Sequence, residues 1–218
     1  MTKIKLCGLS RACDIAAANA LQPDYIGFVF AEKSPRYVSP EKAVLLRQLL
    51  RPEILAVGVF VDAAPETVAR LLNTGVIDLA QLHGHEDESY LRALRRLSDK
   101  PLIQAFCVRT TDDLSRANAS SADQILLDAG AGSGHSFDWT LLCHVTRPYV
   151  LAGGLDATNV TAAIRTLHPD AVDVSSGIES NGVKDLLKMS EFVTLVRKED
   201  SHDQSTRTLR HPRRPVHP

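Results

Sequence analysis

Short apolar runs recur at regular intervals along this chain, at residues 4–7, 25–30, 55–61, 79–82, 102–106, 124–128, 149–152 and 172–175, and a helical pattern separates nearly every neighbouring pair. The runs have strand length, and several are rich in β-branched and aromatic residues. Ser39 precedes a helix over 40–50, Pro65 stands near the start of one over 64–73 with Gly75 past its end, and Leu91, Leu94 and Leu97 share one face of 87–97. Further helices are read over 11–20, opened by Ser10, and over 139–145, 159–167 and 185–196. The stretch 112–119 is short and polar, and reads as a loop or a single turn.

Strands that follow one another through a helix lie parallel and are joined by right-handed crossovers, so eight such units predict a closed (β/α)8 barrel. An open doubly wound sheet is the competing topology. Against it, the early turns hold no Gly-x-Gly-x-x-Gly, and the units stay evenly spaced to the end. With 218 residues, 44% hydrophobic and 23% charged, the chain suffices for one barrel domain over 1–198. Typical barrels need about 250 residues, so the connecting loops must be economical.

The balance of 25 basic against 26 acidic residues provides no basic field for nucleic acid. No apolar run approaches the roughly 20 residues of a membrane span, and Met1-Thr2-Lys3 leads straight into a strand, which predicts a cytoplasmic protein. Cys7, Cys13, Cys107 and Cys143 form no CxxC pair, so reduced thiols are expected. The segment 199–218 departs from the rest. It carries Arg207, Arg210, Arg213 and Arg214 with three prolines and no apolar periodicity, and reads as a disordered basic extension.

In such a barrel the chemistry sits at the carboxyl ends of the strands. There stand Cys7 after the first strand, Arg36 in the loop after the second, Asp62 after the third, His83 at the fourth, Cys107 at the fifth and Asp128 at the sixth. Gly153-Gly154 follows the seventh and Ser175-Ser176-Gly177 the eighth, where glycines let backbone N–H groups approach an anion and the serines add hydroxyl donors. Together they predict a phosphate site. His83 and His85 have the spacing of a zinc pair, but no third ligand is evident, so no metal is expected.

The runs Lys5-Leu6-Cys7-Gly8-Leu9, Gly27-Phe28-Val29-Phe30, Lys33-Ser34-Pro35-Arg36-Tyr37-Val38, Gln81-Leu82-His83-Gly84, Leu126-Leu127-Asp128, Phe137-Asp138-Trp139, Leu151-Ala152-Gly153-Gly154-Leu155 and Val172-Asp173-Val174-Ser175-Ser176-Gly177 occur in order over residues 3 to 197. In that order they closely resemble the phosphoribosylanthranilate isomerase family of tryptophan biosynthesis. The resemblance implies a (β/α)8 barrel that converts N-(5-phosphoribosyl)anthranilate to its 1-deoxyribulose 5-phosphate isomer, an Amadori rearrangement with neither cofactor nor metal. It also implies a monomer or homodimer whose partner is this small molecule, with no nucleic acid or membrane involved.

By resemblance, Asp128 is the general acid and Cys7 the general base, and Arg36 meets the anthranilate carboxylate. Gln81 and His83 line the substrate pocket. Asp173 is either a polar contact inside the barrel or a group near the substrate nitrogen. An ordinary thiol, with a pKa of about 8.5, is only a few per cent ionised at neutral pH, so Cys7 needs help from its surroundings or from the substrate's iminium charge. The sequence departs from the family pattern in small ways: Leu6 and Ala80 replace commoner branched residues, and the loop 129–136 is a compact Gly-rich version.

Overall fold

The computed structural model describes residues 1–128 and 139–210. Eight strands, β1 (Lys3–Cys7), β2 (Tyr25–Val29), β3 (Leu55–Phe60), β4 (Leu79–Leu82), β5 (Leu102–Cys107), β6 (Gln124–Asp128), β7 (Tyr149–Ala152) and β8 (Ala171–Val174), pair in parallel and in sequence order. β8 returns to β1, with Lys5 opposite Asp173, and closes the barrel. The fold class read from the alternation is therefore the observed one.

Between the strands lie α1 (Ala12–Leu21), α2 (Pro40–Leu49), α3 (Pro65–Asn73), α4 (Glu88–Arg95), α5 (Thr111–Ala119), a 3₁₀ turn at Trp139–His144 and α6 (Val160–Leu167). A two-stranded hairpin, β9 (Glu179–Ser180) with β10 (Val183–Lys184), and the last helix, α7 (Leu186–Arg210), follow β8.

Side-chain parity sorts the core. Ile4, Leu6, Ile26 and Phe28 belong to the large apolar layer shared with the helices, whereas Val57, Leu79, Ile103, Leu126, Val150 and Ala171 form a separate buried cluster. Cys7, Val29 and Val59 make a third, small cluster. Successive strand residues point to opposite faces, so these two smaller clusters are layers inside the barrel.

Helix starts follow from local hydrogen bonding. Ser39 Oγ accepts from Lys42 N at 3.2 Å ahead of Pro40, as the sequence predicts. At α1 the cap is not Ser10. Asp14, one turn in, instead accepts from the backbone N–H groups of Ser10 (3.0 Å) and Arg11 (2.9 Å). The stretch expected to be a loop or a single turn is a nine-residue helix, α5. Asp113 accepts from Arg109 N and Thr110 N, both at 2.9 Å, and Leu114 and Ala117 are buried against the barrel. Capping and two apolar contacts thus outweigh a polar composition.

The last helix continues well past Val196. Asp200 accepts from Thr2 N at 2.9 Å and Thr2 Oγ at 3.0 Å, Glu199 pairs with Arg165, and Arg197 pairs with Asp24. Two residues assigned from sequence to the tail are therefore tied to the barrel and its neighbouring helix. The Gly-rich loop 129–136, Phe137-Asp138 and residues 211–218 lie outside the described residues.

Candidate active site

A cavity of about 350 Å³ opens at the carboxyl ends of the strands. Its lining includes Cys7 from β1, Ser34 and Arg36 from the loop after β2, Gln81 and His83 at β4, Asp128 at β6, Gly153 and Gly154 after β7, and Asp173, Ser175 and Ser176 at β8. The barrel thus brings together nearly all the residues singled out in the sequence. Asp62 does not line the cavity, nor does Gly177. A Cβ there would lie 2.0 Å from the Leu155 carbonyl oxygen, so this glycine permits close packing of the β8 turn on the loop after β7. Cys107 is exposed at the end of β5 and does not line the cavity.

Cys7 is held against β2 by backbone contacts. The N–H groups of Gly8 and Leu9 both donate to the Gly27 carbonyl, at 2.9 and 3.1 Å. Gly27 itself leaves room for the thiol, since a Cβ there would meet Cys7 Sγ at 2.7 Å. Burial pushes the Cys7 thiol above its usual range; the ammonium groups of Lys5 and Lys184 pull it down, and the Asp173 carboxylate adds to the rise. The net effect is upward and favours the neutral thiol in the free protein.

Beneath it, Lys5 Nζ donates to Asp173 Oδ1 at 3.0 Å, and both residues are buried. Burial alone would lower the Lys5 pKa, but the Asp173 carboxylate raises it. The ammonium is charged and paired.

At β4, Gln81 Nε2 lies 2.9 Å from His83 Nδ1. With the amide donating, His83 accepts at Nδ1 and carries its hydrogen on Nε2, which faces Asp128 Oδ2 at 3.4 Å. Gln81 is 1% exposed, and its Oε1 has no hydrogen-bond partner among the described residues. His85 turns instead to Asp62, with Nδ1 at 3.0 Å from Oδ2, so the two histidines do not converge on a common point.

A second charge cluster occupies the rim beside β8. Arg36 Nε and Nη2 donate to Glu179 Oε1 and Oε2 at 2.6 and 2.8 Å. Lys184 Nζ donates to Glu179 Oε1 at 2.6 Å, to the Ser175 carbonyl at 2.9 Å and to Ser175 Oγ at 3.3 Å. Ser175 Oγ in turn donates to the Cys7 carbonyl at 3.3 Å, so this hydroxyl is engaged within the protein. Burial would raise the Glu179 carboxyl, but Arg36 and Lys184 hold it down at about 2. Gly153 and Gly154 have φ of 93° and 63°, a left-handed pair that few other residues would adopt.

Lys5, Glu179 and Lys184 were not recognised in the sequence. Lys5 and Asp173 share inward parity with Cys7 and Ser175, so opposite charges on the first and last strands were the available signal. For the hairpin the signal was Asn181-Gly182. Both residues have positive φ, 53° and 75°, as a two-residue turn of this kind requires.

A closed parallel barrel with a charge-rich mouth of this size defines a (β/α)8-barrel enzyme for a small anionic molecule. Comparison with known proteins specifies which. The family model for N-(5'-phosphoribosyl)anthranilate isomerase matches residues 4–195. An N-(5'-phosphoribosyl)anthranilate isomerase of Endomicrobium trichonymphae is 45% identical over 202 residues, covering 90% of this chain and 99% of the relative. The phosphoribosyl anthranilate isomerase of Thermotoga maritima superposes with a TM-score of 0.83 at 35% identity, covering 91% of this chain and all of the other. Another such isomerase, solved in complex with reduced 1-(o-carboxyphenylamino)-1-deoxyribulose 5-phosphate, gives a TM-score of 0.81 at 35% identity and the same coverage. The chain belongs to the N-(5'-phosphoribosyl)anthranilate isomerase family, and its function is this isomerisation, an enzymic step of tryptophan biosynthesis.

Proposed function

We propose that the rearrangement runs between Asp128 and Cys7. Both side chains line one cavity, from strands β6 and β1 that stand nearly opposite in the ring of eight. That shared placement carries the reading. Asp128 gives a proton to the ring oxygen of the aminosugar as its bond to C1 breaks, and the nitrogen lone pair forms the C1=N iminium. Cys7, as thiolate, takes the proton from C2, and the electron pair of that bond forms the enolamine. Addition of a proton at C1, with loss of the proton on the C2 hydroxyl, then yields the ketone.

The neutral thiol of the free enzyme ionises more readily once the iminium adds a positive charge near Lys5 and Lys184. The base is thus activated when the acidic C2 proton is present. Arg36 binds the anthranilate carboxylate. The Gly153-Gly154 and Ser175-Ser176 backbone takes the phosphate, and Gln81 Oε1 accepts from a sugar hydroxyl. His83 lines the pocket beside Asp128.

No helix among the described residues is long and apolar enough to cross a membrane. We read the site of action as cytoplasmic. The Thermotoga maritima relative is a dimeric enzyme of which monomers have also been solved, and a monomer or homodimer is our reading for this chain.

The decisive experiment follows the loss of anthranilate-type fluorescence on mixing with fresh phosphoribosylanthranilate. Cys7→Ala and Asp128→Asn should each lower kcat about 10²- to 10⁴-fold with smaller effects on KM. Unchanged turnover in either variant removes that residue's role.

A further inference from the structure

We infer that Glu179 is a positioning residue that aims Arg36 at the substrate carboxylate, and that Lys184 locks this device to the β8 turn. The inference deepens the reading of Arg36 given above and rests on it.

A guanidinium offers five N–H donors in a planar fork. Glu179 engages one edge of that fork, through Nε and Nη2. The opposite edge, formed by Nη1 and the second N–H of Nη2, is left to make a parallel pair of bonds to a second carboxylate. With two contacts fixing the plane, Arg36 no longer has to order a long side chain when substrate arrives. Its stem is confined as well. Gly8 passes so close that a Cβ there would lie 2.6 Å from Arg36 Cδ.

Glu179 would neutralise Arg36 if it acted alone. Lys184 restores the balance. Its three N–H donors are spent on Glu179 Oε1, the Ser175 carbonyl and Ser175 Oγ, and its side chain is 3% exposed. Being saturated within the protein, it binds no substrate itself. The triad of Arg36, Glu179 and Lys184 therefore keeps one net positive charge, matched to one carboxylate. Lys184 also ties the carboxylate end of the site to Ser175, which donates to the Cys7 carbonyl. The short hairpin β9–β10 brings the two residues together, with Val183 opposite Ser180 and Lys184 opposite Glu179.

The test compares phosphoribosylanthranilate with the aniline analogue that lacks the carboxylate, in Glu179→Gln, Glu179→Ala, Arg36→Ala and the Glu179→Ala/Arg36→Ala double variant. Folding is checked by circular dichroism. The conservative Glu179→Gln keeps an acceptor oxygen if the alanine variant folds poorly. Loss of Glu179 should raise KM for the carboxylated substrate roughly ten- to hundredfold, with kcat changed far less and KM for the aniline analogue little altered. On the Arg36→Ala background it should add nothing. The positioning role is overturned if Arg36→Ala discriminates between the two substrates and Glu179 variants do not, or if Glu179 variants impair both equally. If Arg36→Ala itself fails to discriminate, the carboxylate reading of Arg36 falls and the inference falls with it.

Discussion

Cys7 and Asp173 show how a residue's chemistry depends on what surrounds it. Cys7 is 6% exposed, and burial favours its neutral form, while Lys5 and Lys184 favour the thiolate. Burial prevails in the free protein. With the thiol pKa raised, the proportion of active base grows as pH increases through and beyond the usual thiol range. The thiolate absorbance of the free enzyme, referenced to Cys7→Ser, should therefore appear only above the pH at which an ordinary thiol ionises. Full thiolate absorbance already at pH 7 would rule out a neutral resting thiol. At Gly27 and Gly8, the missing Cβ atoms are part of the same arrangement, since neither the thiol nor Arg36 would fit beside a methyl group.

At the scale of elements, α5 marks the limit of reading periodicity. Its residues are polar, and few apolar positions suggest a helix. Even so, Asp113 accepts two backbone N–H groups that a helix start would otherwise leave open. Backbone donors and Arg116 hold the Asp113 carboxyl down at about 2 despite the small opposing effect of burial. A carboxyl depressed in the folded state stabilises fully above its unfolded pKa, about 3.9, and that contribution is lost as pH falls towards 2. Asp113→Ala should cost about 1 kcal/mol at pH 7, lowering Tm by roughly 2–4 °C, and the difference from the unaltered protein should shrink below pH 3. Thermal melts at the two pH values check both points. The hairpin β9–β10 is an opposite case: Asn181-Gly182 was a legible turn signal, but the strands it joins are only two residues each, too short to register as apolar runs.

On the scale of the whole molecule, closure of the barrel decides which charges meet. Lys5 and Asp173 are 168 residues apart in sequence and become neighbours only because β8 pairs with β1. Removing one partner strands a buried charge, so Lys5→Met should destabilise the fold by about 3–5 kcal/mol in urea titrations. The double variant Lys5→Met/Asp173→Leu should recover most of that loss. Full activity in the recovered variant would reduce Asp173 to a barrel contact. The strand and helix alternation and the carboxyl-end placement of Cys7, Arg36, His83 and Asp128 were all legible in the sequence. They depend on local periodicity and on a connection rule that short crossovers obey. The partners of these residues were not legible in the same way. Glu179 beside Arg36 and Asp173 beside Lys5 are pairings between distant parts of the chain, set by strand register and barrel closure rather than by any local pattern. Sequence by itself determined the scaffold and which residue types reach its mouth. Only the tertiary structure decided which charges are paired, which remain available to substrate, and in which direction burial and neighbouring charges move the Cys7 thiol, because each of these depends on distance and burial.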